Sequence, residues 1–414
     1  MKNKKYFIES KLAIYLIGKI ITAVITLLSI PLYINWFGEV RYGEYILAYT
    51  TFLVFLSGSL GWLNHALIKH YTLYKDNYLF KEKIQTIVLW TSLISATFLC
   101  VLLNFSEQVK FSTVPIIFLG FIFGCFYLNE LIFTQVNYKA FKFVISEFLR
   151  LSVCLLLVYL LNQSTSFSSE KVLFLGVLLS YFIGYFYQTK LKLPNLSIMS
   201  NKYFDRNIFR QFLSYGLPIG IWMALTPSSN TIDRYIISSY MGAAALTQYT
   251  AVYDVVFKVF TQLATPVATI IQPLLMQNYN NKNTHGYMRI RNKAALYLLI
   301  LFLPSISMFI LIDDFIITKY LGFKDLSVIN KLKKIVIPIA LSSLIWQIAI
   351  LLQRKIEASG KSYLVTIAML LAVSLSALLT IIFLPKYDYG ILGYISLITS
   401  LVYLIIIYFL IRKK

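Results

Sequence analysis

Charged side chains lie inside stretches of this sequence that are otherwise strongly apolar. They are Lys19, Glu130, Glu147, Arg150, Asp233, Arg234, Asp254 and Lys258. A charge near the centre of a bilayer costs about 2.5–3.5 kcal/mol on insertion scales, so a charge retained there faces protein, water or a substrate. The cations among them suit a substrate that carries the negative charge of phosphate, and they would not attract a neutral or cationic compound. We therefore predict a cationic substrate-binding site formed by Lys19, Arg150, Arg234 and Lys258.

These four cations lie at different depths of their predicted helices. At about 1.5 Å per residue, Lys19 and Arg150 lie roughly 10 Å from the cytoplasmic ends of their helices. Lys258 falls near the middle of its helix, and Arg234 lies in the outer half. The spacing predicts that a phosphate group could pass from one cation to the next while it crosses.

The acidic residues have two interpretations. Asp254 and Lys258 are four residues apart and Glu147 and Arg150 are three apart, so each pair could simply neutralise itself on one helix face. Glu130 has no basic residue close in sequence, and it is either a proton or cation site or a protonated carboxyl group that is hydrogen-bonded inside the protein. The candidates for ion coupling are Glu130, Asp233 and Asp254.

Polar residues recur at helical spacing along two predicted helices. The first stripe comprises Tyr15, Lys19, Thr22, Thr26, Ser29 and Tyr33, and the second comprises Thr250, Asp254, Lys258, Thr261 and Thr265. Such stripes line a water-filled cavity or hold helices together through hydrogen bonds. The cavity interpretation predicts polar lining residues at Tyr15, Thr22, Thr26, Ser29 and Thr261.

The composition indicates which elements carry these residues. Of 414 residues, 58% are hydrophobic and 13% are charged, whereas soluble domains have about 25% charged residues. This composition excludes a soluble globule, a disordered chain and a coiled coil. The net charge of +21 is spread between long apolar runs, which favours a membrane protein over a nucleic-acid-binding protein.

Apolar runs of the length that a membrane helix needs, about 20 residues, occur twelve times. They lie at about 12–36, 45–69, 84–104, 114–138, 143–162, 170–189, 211–240, 247–276, 294–312, 334–353, 362–384 and 389–411. The predicted fold is an all-α polytopic membrane protein. It has an N-terminal six-helix bundle at 1–195, a cytoplasmic linker at 196–210 and a C-terminal six-helix bundle at 211–414.

The distribution of Lys and Arg predicts the orientation. These residues are concentrated in the two termini and in alternate loops, and such loops face the cytoplasm. Both termini are therefore expected on the cytoplasmic side. With an even number of spans in each half, the halves enter the membrane in the same direction, which is the arrangement of a parallel repeat.

A faint internal similarity accompanies this predicted repeat. Gly38, Tyr45 and Tyr49 are matched 204 positions later by Gly242, Tyr249 and Tyr253. Chance matches in a chain with 31 tyrosines are the alternative explanation.

Signatures of an enzyme are not found in the sequence. There is no GxxxxGK[ST] loop for ATP, the three histidines have no metal-ligand spacing, and the three cysteines lie in apolar runs. We therefore expect no catalytic residues, no metal and no cofactor. A membrane-embedded glycan-assembly enzyme remains the less favoured alternative.

Three segments resemble a known family. PLYINWFGEVRYGEYILAY (31–49) resembles the end of the first helix in polysaccharide flippases of the Wzx type. YGLPIGIWMALTPSSNTIDRYIISSYMGAAALTQYTAVYD (215–254) resembles the same family, in which a DRY-like stretch, a turn with Gly and a following Tyr recur in this order. EASGKSYL (357–364) is a third, weaker match. Together with the predicted layout, the resemblance covers the whole chain.

The resemblance has specific implications. The family belongs to the multidrug, oligosaccharidyl-lipid and polysaccharide (MOP) exporter superfamily, with two six-helix bundles around a central cavity. Its members flip an undecaprenyl-pyrophosphate-linked oligosaccharide repeat unit across the bacterial inner membrane, for O-antigen, lipopolysaccharide or a similar surface glycan. The implied partners are the lipid-linked oligosaccharide, membrane lipids, H⁺ or Na⁺ as the coupling ion of an antiporter, a polysaccharide polymerase and a chain-length regulator. A cation-coupled multidrug exporter of the same superfamily is the alternative.

Overall fold

The computed structural model describes residues 2–74, 77, 79–137, 139–164, 167–191 and 204–412 of the chain. Within these ranges the chain is built of helices joined by short turns, and no β-strand is present. The predicted all-α class is therefore confirmed. Residues 196–203 of the predicted linker lie outside the described ranges.

Eleven long helices make up the described chain. They are α1 (Lys2–Phe37), α2 (Glu39–Tyr74), α3 (Phe80–Phe105), α4 (Val114–Val136), α5 (Ala140–Ser164), α6 (Ser169–Thr189), α7 (Arg206–Asn280), α8 (Thr284–Asp314), α9 (Leu326–Ala358), α10 (Ser362–Tyr387) and α11 (Leu392–Arg412). Single helical turns precede α4 and α11, and a short π-helix follows α8.

Ten of these helices are long and apolar enough to cross a membrane: α1 to α6 and α8 to α11. Each overlaps one of the predicted spans. The other two predicted spans, 211–240 and 247–276, both lie within α7. The chain is thus a multi-pass membrane protein, whereas the number of twelve crossings and the cytoplasmic position of the termini stay predictions.

Several helices begin well before the apolar run that predicted them. The α8 helix starts at Thr284, ten residues before its run, and Asn283 Oδ1 caps it by accepting a hydrogen bond of 2.9 Å from Gly286 N. Asp325 caps α9 in the same way, with Ser327 N as the donor at 2.8 Å. Side-chain caps satisfy the first N–H groups of a helix independently of hydropathy. Hydropathy therefore locates the part of a helix that suits a membrane, and the helix itself extends beyond it.

Helix α7 reverses direction at Gly242, where φ is +82° and ψ is 175°. Arg234 and Asp254 are 20 residues apart, which corresponds to about 30 Å along a straight helix. Their side chains nevertheless meet at 2.6 Å. The two segments of α7 on either side of Gly242 therefore lie side by side and run in opposite directions.

The chain divides into two compact units. Unit 1 consists of Met1–Ser29 and Glu44–Pro227, and unit 2 consists of Ile30–Gly43 and Ser228–Lys414. Unit 1 contains α3 to α6, and unit 2 contains α8 to α11. Helices α1, α2 and α7 contribute to both.

The core of unit 1 is aromatic. Phe52 packs edge-on against Phe121 with their ring centroids 5.4 Å apart, and Tyr45 packs against Phe174 at 5.3 Å. Small residues allow close packing here, because a Cβ at Gly216 would overlap the backbone of Trp62. This packing holds the start of α7 against α2.

Unit 2 contains the turns at both Gly38 and Gly242. Thr247 Oγ1 donates to the Glu39 carbonyl oxygen at 2.5 Å, and Gln248 Nε2 donates to the Glu39 carboxylate at 2.7 Å. A Cβ at Gly43 would overlap the backbone of Ala243. These contacts explain why residues 30–43 belong to unit 2, whereas the rest of α1 and α2 belongs to unit 1.

Candidate functional site

Three of the predicted site residues form one ionic cluster in unit 2, which we call the α7 cluster: Arg234, Asp254 and Lys258. Arg234 Nη2 lies 2.6 Å from Asp254 Oδ1, and Lys258 Nζ lies 3.5 Å from Asp254 Oδ2. Two cations thus share one carboxylate, and the cluster carries a net positive charge.

The two cations of the α7 cluster are held differently. Only 4% of Arg234 is exposed, and its short contact with Asp254 holds it in place. The Lys258 side chain is 35% exposed and makes a longer contact. Lys258 is therefore the cation that can turn towards an anion, while Arg234 keeps Asp254 neutralised.

Asp233 lies next to Arg234 in sequence but has a different partner. Thr380 Oγ1 on α10 donates to Asp233 Oδ1 at 3.0 Å, and both residues are buried. Among the described residues, Asp233 has no salt bridge within 4.0 Å. A buried carboxyl group without an ion pair is stabilised by binding a proton or a small cation.

Arg150 lies in a second ionic cluster, which belongs to unit 1. Its Nε is 3.2 Å from Glu147 Oε1, and the same carboxylate oxygen accepts a hydrogen bond of 2.5 Å from the Tyr127 hydroxyl group. The Arg150 guanidinium also lies 5.2 Å from the ring centroid of Tyr181. A salt bridge and a cation–π contact together fix the position of this cation.

Glu130 has a basic partner that is distant in sequence. Lys81 Nζ lies 2.8 Å from the Glu130 carboxylate, and Gln85 Nε2 donates to the same carboxylate at 2.8 Å. The carboxylate is therefore compensated by one cation and one amide on α3. Sequence spacing could not identify this pair, because 49 residues separate Lys81 from Glu130.

Three hydroxyl groups of the two polar stripes bond to carbonyl oxygens of their own helices. Thr26 Oγ1 donates to the Thr22 carbonyl oxygen at 2.7 Å, Ser29 Oγ to that of Thr26 at 2.8 Å, and Thr261 Oγ1 to that of Phe257 at 2.8 Å. Such bonds are common for hydroxyl side chains within helices. The side chains of Tyr15 and Lys19 lie outside the described part of the structure, so their roles stay predictions.

The two glycines of the predicted repeat have nearly the same positive φ. Gly38 has a φ of +80° and Gly242 a φ of +82°, and each lies at a helix reversal. The Tyr45 and Tyr49 rings stack at 5.3 Å, and the matching Tyr249 and Tyr253 rings lie 5.6 Å apart. The similarity found in the sequence therefore corresponds to two similar helix–turn–helix structures.

The described residues do not include a group of three or more His, Cys, Asp or Glu side chains that could hold a metal ion. Cys100, Cys125 and Cys154 do not form disulfide bonds. The described clusters consist of paired charges in both units and of one buried carboxyl group, Asp233, that is hydrogen-bonded by Thr380.

No family model matches the chain, and no curated protein matches it. Solved structures do match over almost its whole length. The lipid II flippase MurJ in an inward closed conformation aligns with a TM-score of 0.73 at 17% identity, covering 96% of this chain and 87% of that one. An inward-facing multidrug resistance MATE family transporter of the MOP superfamily aligns at 0.70 and 12% identity, covering 96% and 97%.

A third match is a MOP superfamily transporter from Pyrococcus furiosus, described as having a binding pocket of reverse polarity that suggests a different function. It aligns with a TM-score of 0.66 at 13% identity, covering 97% of this chain and 95% of that one. The chain has the fold of MOP superfamily transporters. At these identities the likeness establishes the fold, and the substrate has to be argued from this chain's own residues.

Proposed function

We propose that the chain is a flippase for a lipid-linked oligosaccharide repeat unit, carried on undecaprenyl pyrophosphate, in the bacterial inner membrane. The unit would serve the assembly of O-antigen or a similar surface glycan. The observation that carries this proposal is the α7 cluster, in which Arg234 and Lys258 share the single carboxylate of Asp254.

The charge of the α7 cluster favours an anionic cargo. A phosphate group that approaches Lys258 to 4 Å gains roughly 4 kcal/mol of Coulomb energy at an effective dielectric constant of about 20. A cationic drug at the same place would be repelled by a comparable amount. Arg150, the predicted site cation in unit 1, is a separate candidate anion contact that becomes available if Glu147 releases it.

The fold is compatible with a lipid cargo. MurJ, which has a similar fold, is described as a flippase for lipid II. The cargo proposed for this chain is likewise a lipid, which consists of a polyprenyl chain, a pyrophosphate and an oligosaccharide. The polyprenyl chain would remain in the bilayer while the pyrophosphate moves along the cations.

Ion coupling is assigned to Asp233 in this proposal. Its carboxyl group is buried and hydrogen-bonded by Thr380, and it lies beside Arg234 in sequence. Binding of H⁺ or Na⁺ at Asp233 would change the local charge next to the α7 cluster and so change its affinity for phosphate. Transport then follows alternating access, in which the ion and the cargo each stabilise one conformation.

The experiment that tests the proposal uses deletion of the gene in its native host. Loss of surface glycan, with single lipid-linked repeat units accumulating on the cytoplasmic side, supports translocation as the missing step. Complementation with Lys258→Gln should restore at least tenfold less glycan than the wild type, because one charge-assisted hydrogen bond to phosphate contributes about 1.5–3 kcal/mol. Lys293→Gln is the matched control, since it removes the same charge from an exposed position on α8.

Cation-coupled multidrug export is the second candidate, because MATE transporters share the fold and Asp233 is a buried carboxyl group. It predicts a normal surface glycan in the deletion strain and increased sensitivity to cationic drugs. That result would refute the flippase proposal.

A further inference from the structure

A basic pocket opens at one end of unit 1, well apart in sequence from the α7 cluster. Its volume is about 230 Å³, and the residues that matter here are Lys81, Glu130, Thr134, Lys139, Lys142 and Gln188. Pockets for drug-sized ligands measure about 300–1,000 Å³. The volume of this pocket is therefore suited to a small group.

The helices place the pocket at their ends. Lys81 is in the first turn of α3, and Gln188 is the next-to-last residue of α6. Lys139 immediately precedes α5, and Lys142 is in the first turn of α5. Ends of membrane-crossing helices lie near the level of the lipid head groups. The loops next to these helix ends are among those whose Lys and Arg residues predict the cytoplasmic side of the membrane.

The charge of the pocket is positive. Three lysines line it against a single carboxylate, and Lys81 already neutralises that carboxylate at 2.8 Å. Lys139 is exposed at the rim. Lys142 Nζ donates to the Gln188 carbonyl oxygen at 2.6 Å, which leaves it further N–H groups for a ligand.

An unpaired donor lines the pocket as well. Gln188 is only 4% exposed, and its Oε1 accepts a hydrogen bond of 2.7 Å from Thr134. Its Nε2 has no hydrogen-bond partner. A buried amide group without a partner is destabilising, so a ligand that accepts a hydrogen bond here would be favoured.

We propose that this pocket binds a phosphate group through Lys139, Lys142 and the Gln188 amide. Phosphate oxygens accept hydrogen bonds from both ammonium and amide N–H groups, whereas a cation would be repelled by the lysines. The phosphate belongs either to an anionic phospholipid of the surrounding leaflet or to a soluble phosphate compound. The test of this site uses phospholipid and inorganic phosphate and no oligosaccharide cargo, so its outcome is independent of the proposed function.

The test uses the purified full-length chain in nanodiscs and its thermal unfolding midpoint. One arm compares phosphatidylcholine nanodiscs with and without phosphatidylglycerol. The other arm titrates inorganic phosphate against chloride at constant ionic strength in phosphatidylcholine nanodiscs. A rise with phosphatidylglycerol alone identifies a lipid phosphate, a rise with inorganic phosphate identifies a soluble one, and either supports the site.

Variants separate the pocket from general surface charge. Lys139→Gln changes an exposed side chain and removes one charged contact. The ligand concentration that gives half of the rise in the unfolding midpoint should therefore increase about tenfold. Adding Lys142→Gln should abolish the response. Lys110→Gln removes the same charge from an exposed position at the opposite end of α3 and α4, and it should behave as the wild type does. A wild-type chain that responds to neither ligand, or a Lys139→Gln, Lys142→Gln chain that responds as the wild type does, would overturn the proposal.

Discussion

Replacing Asp254 with Asn should destabilise unit 2 more than replacing Arg234 and Asp254 together. The single change leaves the Arg234 guanidinium buried, with 4% of the residue exposed, and without the carboxylate that lies 2.6 Å away. Removing one partner of a buried ion pair costs about 3–5 kcal/mol, because an uncompensated charge remains. In the double variant Arg234→Gln, Asp254→Asn, two amides can bond to each other, and most of that cost should be recovered.

Unfolding of the purified protein in mixed micelles, followed by helical circular dichroism as the fraction of denaturing detergent rises, measures this difference. Asp314→Asn is the control, because it breaks an exposed pair with Lys333 at 2.6 Å, and such pairs contribute about 0–1 kcal/mol. The reasoning is refuted if Asp254→Asn costs no more than Asp314→Asn, or if the double variant is less stable than Asp254→Asn alone.

Two further predictions concern the backbone turn and the start of α7. Gly242→Ala should lower the free energy of unfolding by about 1–3 kcal/mol, because φ is +82° there and a side chain is strained in that region; Gly390→Ala, in open space with an ordinary φ, should have little effect in the same assay. The side-chain hydrogen bond from Lys83, at 2.9 Å, holds the pKa of Asp205 below its ordinary value. Its stabilisation is therefore present above the pKa of the unfolded chain and is lost as pH falls through the lower pKa of the folded chain. Asp205→Asn should reduce stability at neutral pH, and its difference from the wild type should disappear only in strong acid; a difference that does not change with pH would contradict this assignment.

Helix positions could be predicted from apolar runs, since a helix that crosses a membrane must bury its backbone polar groups internally and expose apolar side chains to lipid. The runs therefore located α1 to α6 and α8 to α11. They missed the polar ends of α8 and α9, where Asn283 and Asp325 cap the helices. Hydropathy contains no information about such caps.

The local ion pairs could also be predicted. Three- and four-residue spacings place side chains on one helix face, and the structure contains both Glu147–Arg150 and Asp254–Lys258 contacts. The Arg234–Asp254 contact was not predicted, because it requires the chain reversal at Gly242. The glycine itself was visible in the sequence, but its left-handed conformation was not.

Contacts between helices that are distant in sequence could not be predicted from one sequence. Lys81 and Gln85 on α3 compensate Glu130 on α4, and Thr380 on α10 bonds to Asp233 on α7. Nothing in the spacing of these residues marks them as neighbours. Packing of the helices decides which charges meet, and the identities of single residues do not determine that packing.

The most direct measurement of the central claim is transbilayer movement of a labelled undecaprenyl-pyrophosphate oligosaccharide in vesicles that contain the purified protein. We expect the wild type and Lys293→Gln to move the labelled lipid at similar rates. Lys258→Gln should be at least tenfold slower, because it lacks the more accessible cation of the α7 cluster. Equal rates for Lys258→Gln and the wild type would contradict the account. Transport of a cationic dye by vesicles that leave the lipid unmoved would contradict it as well.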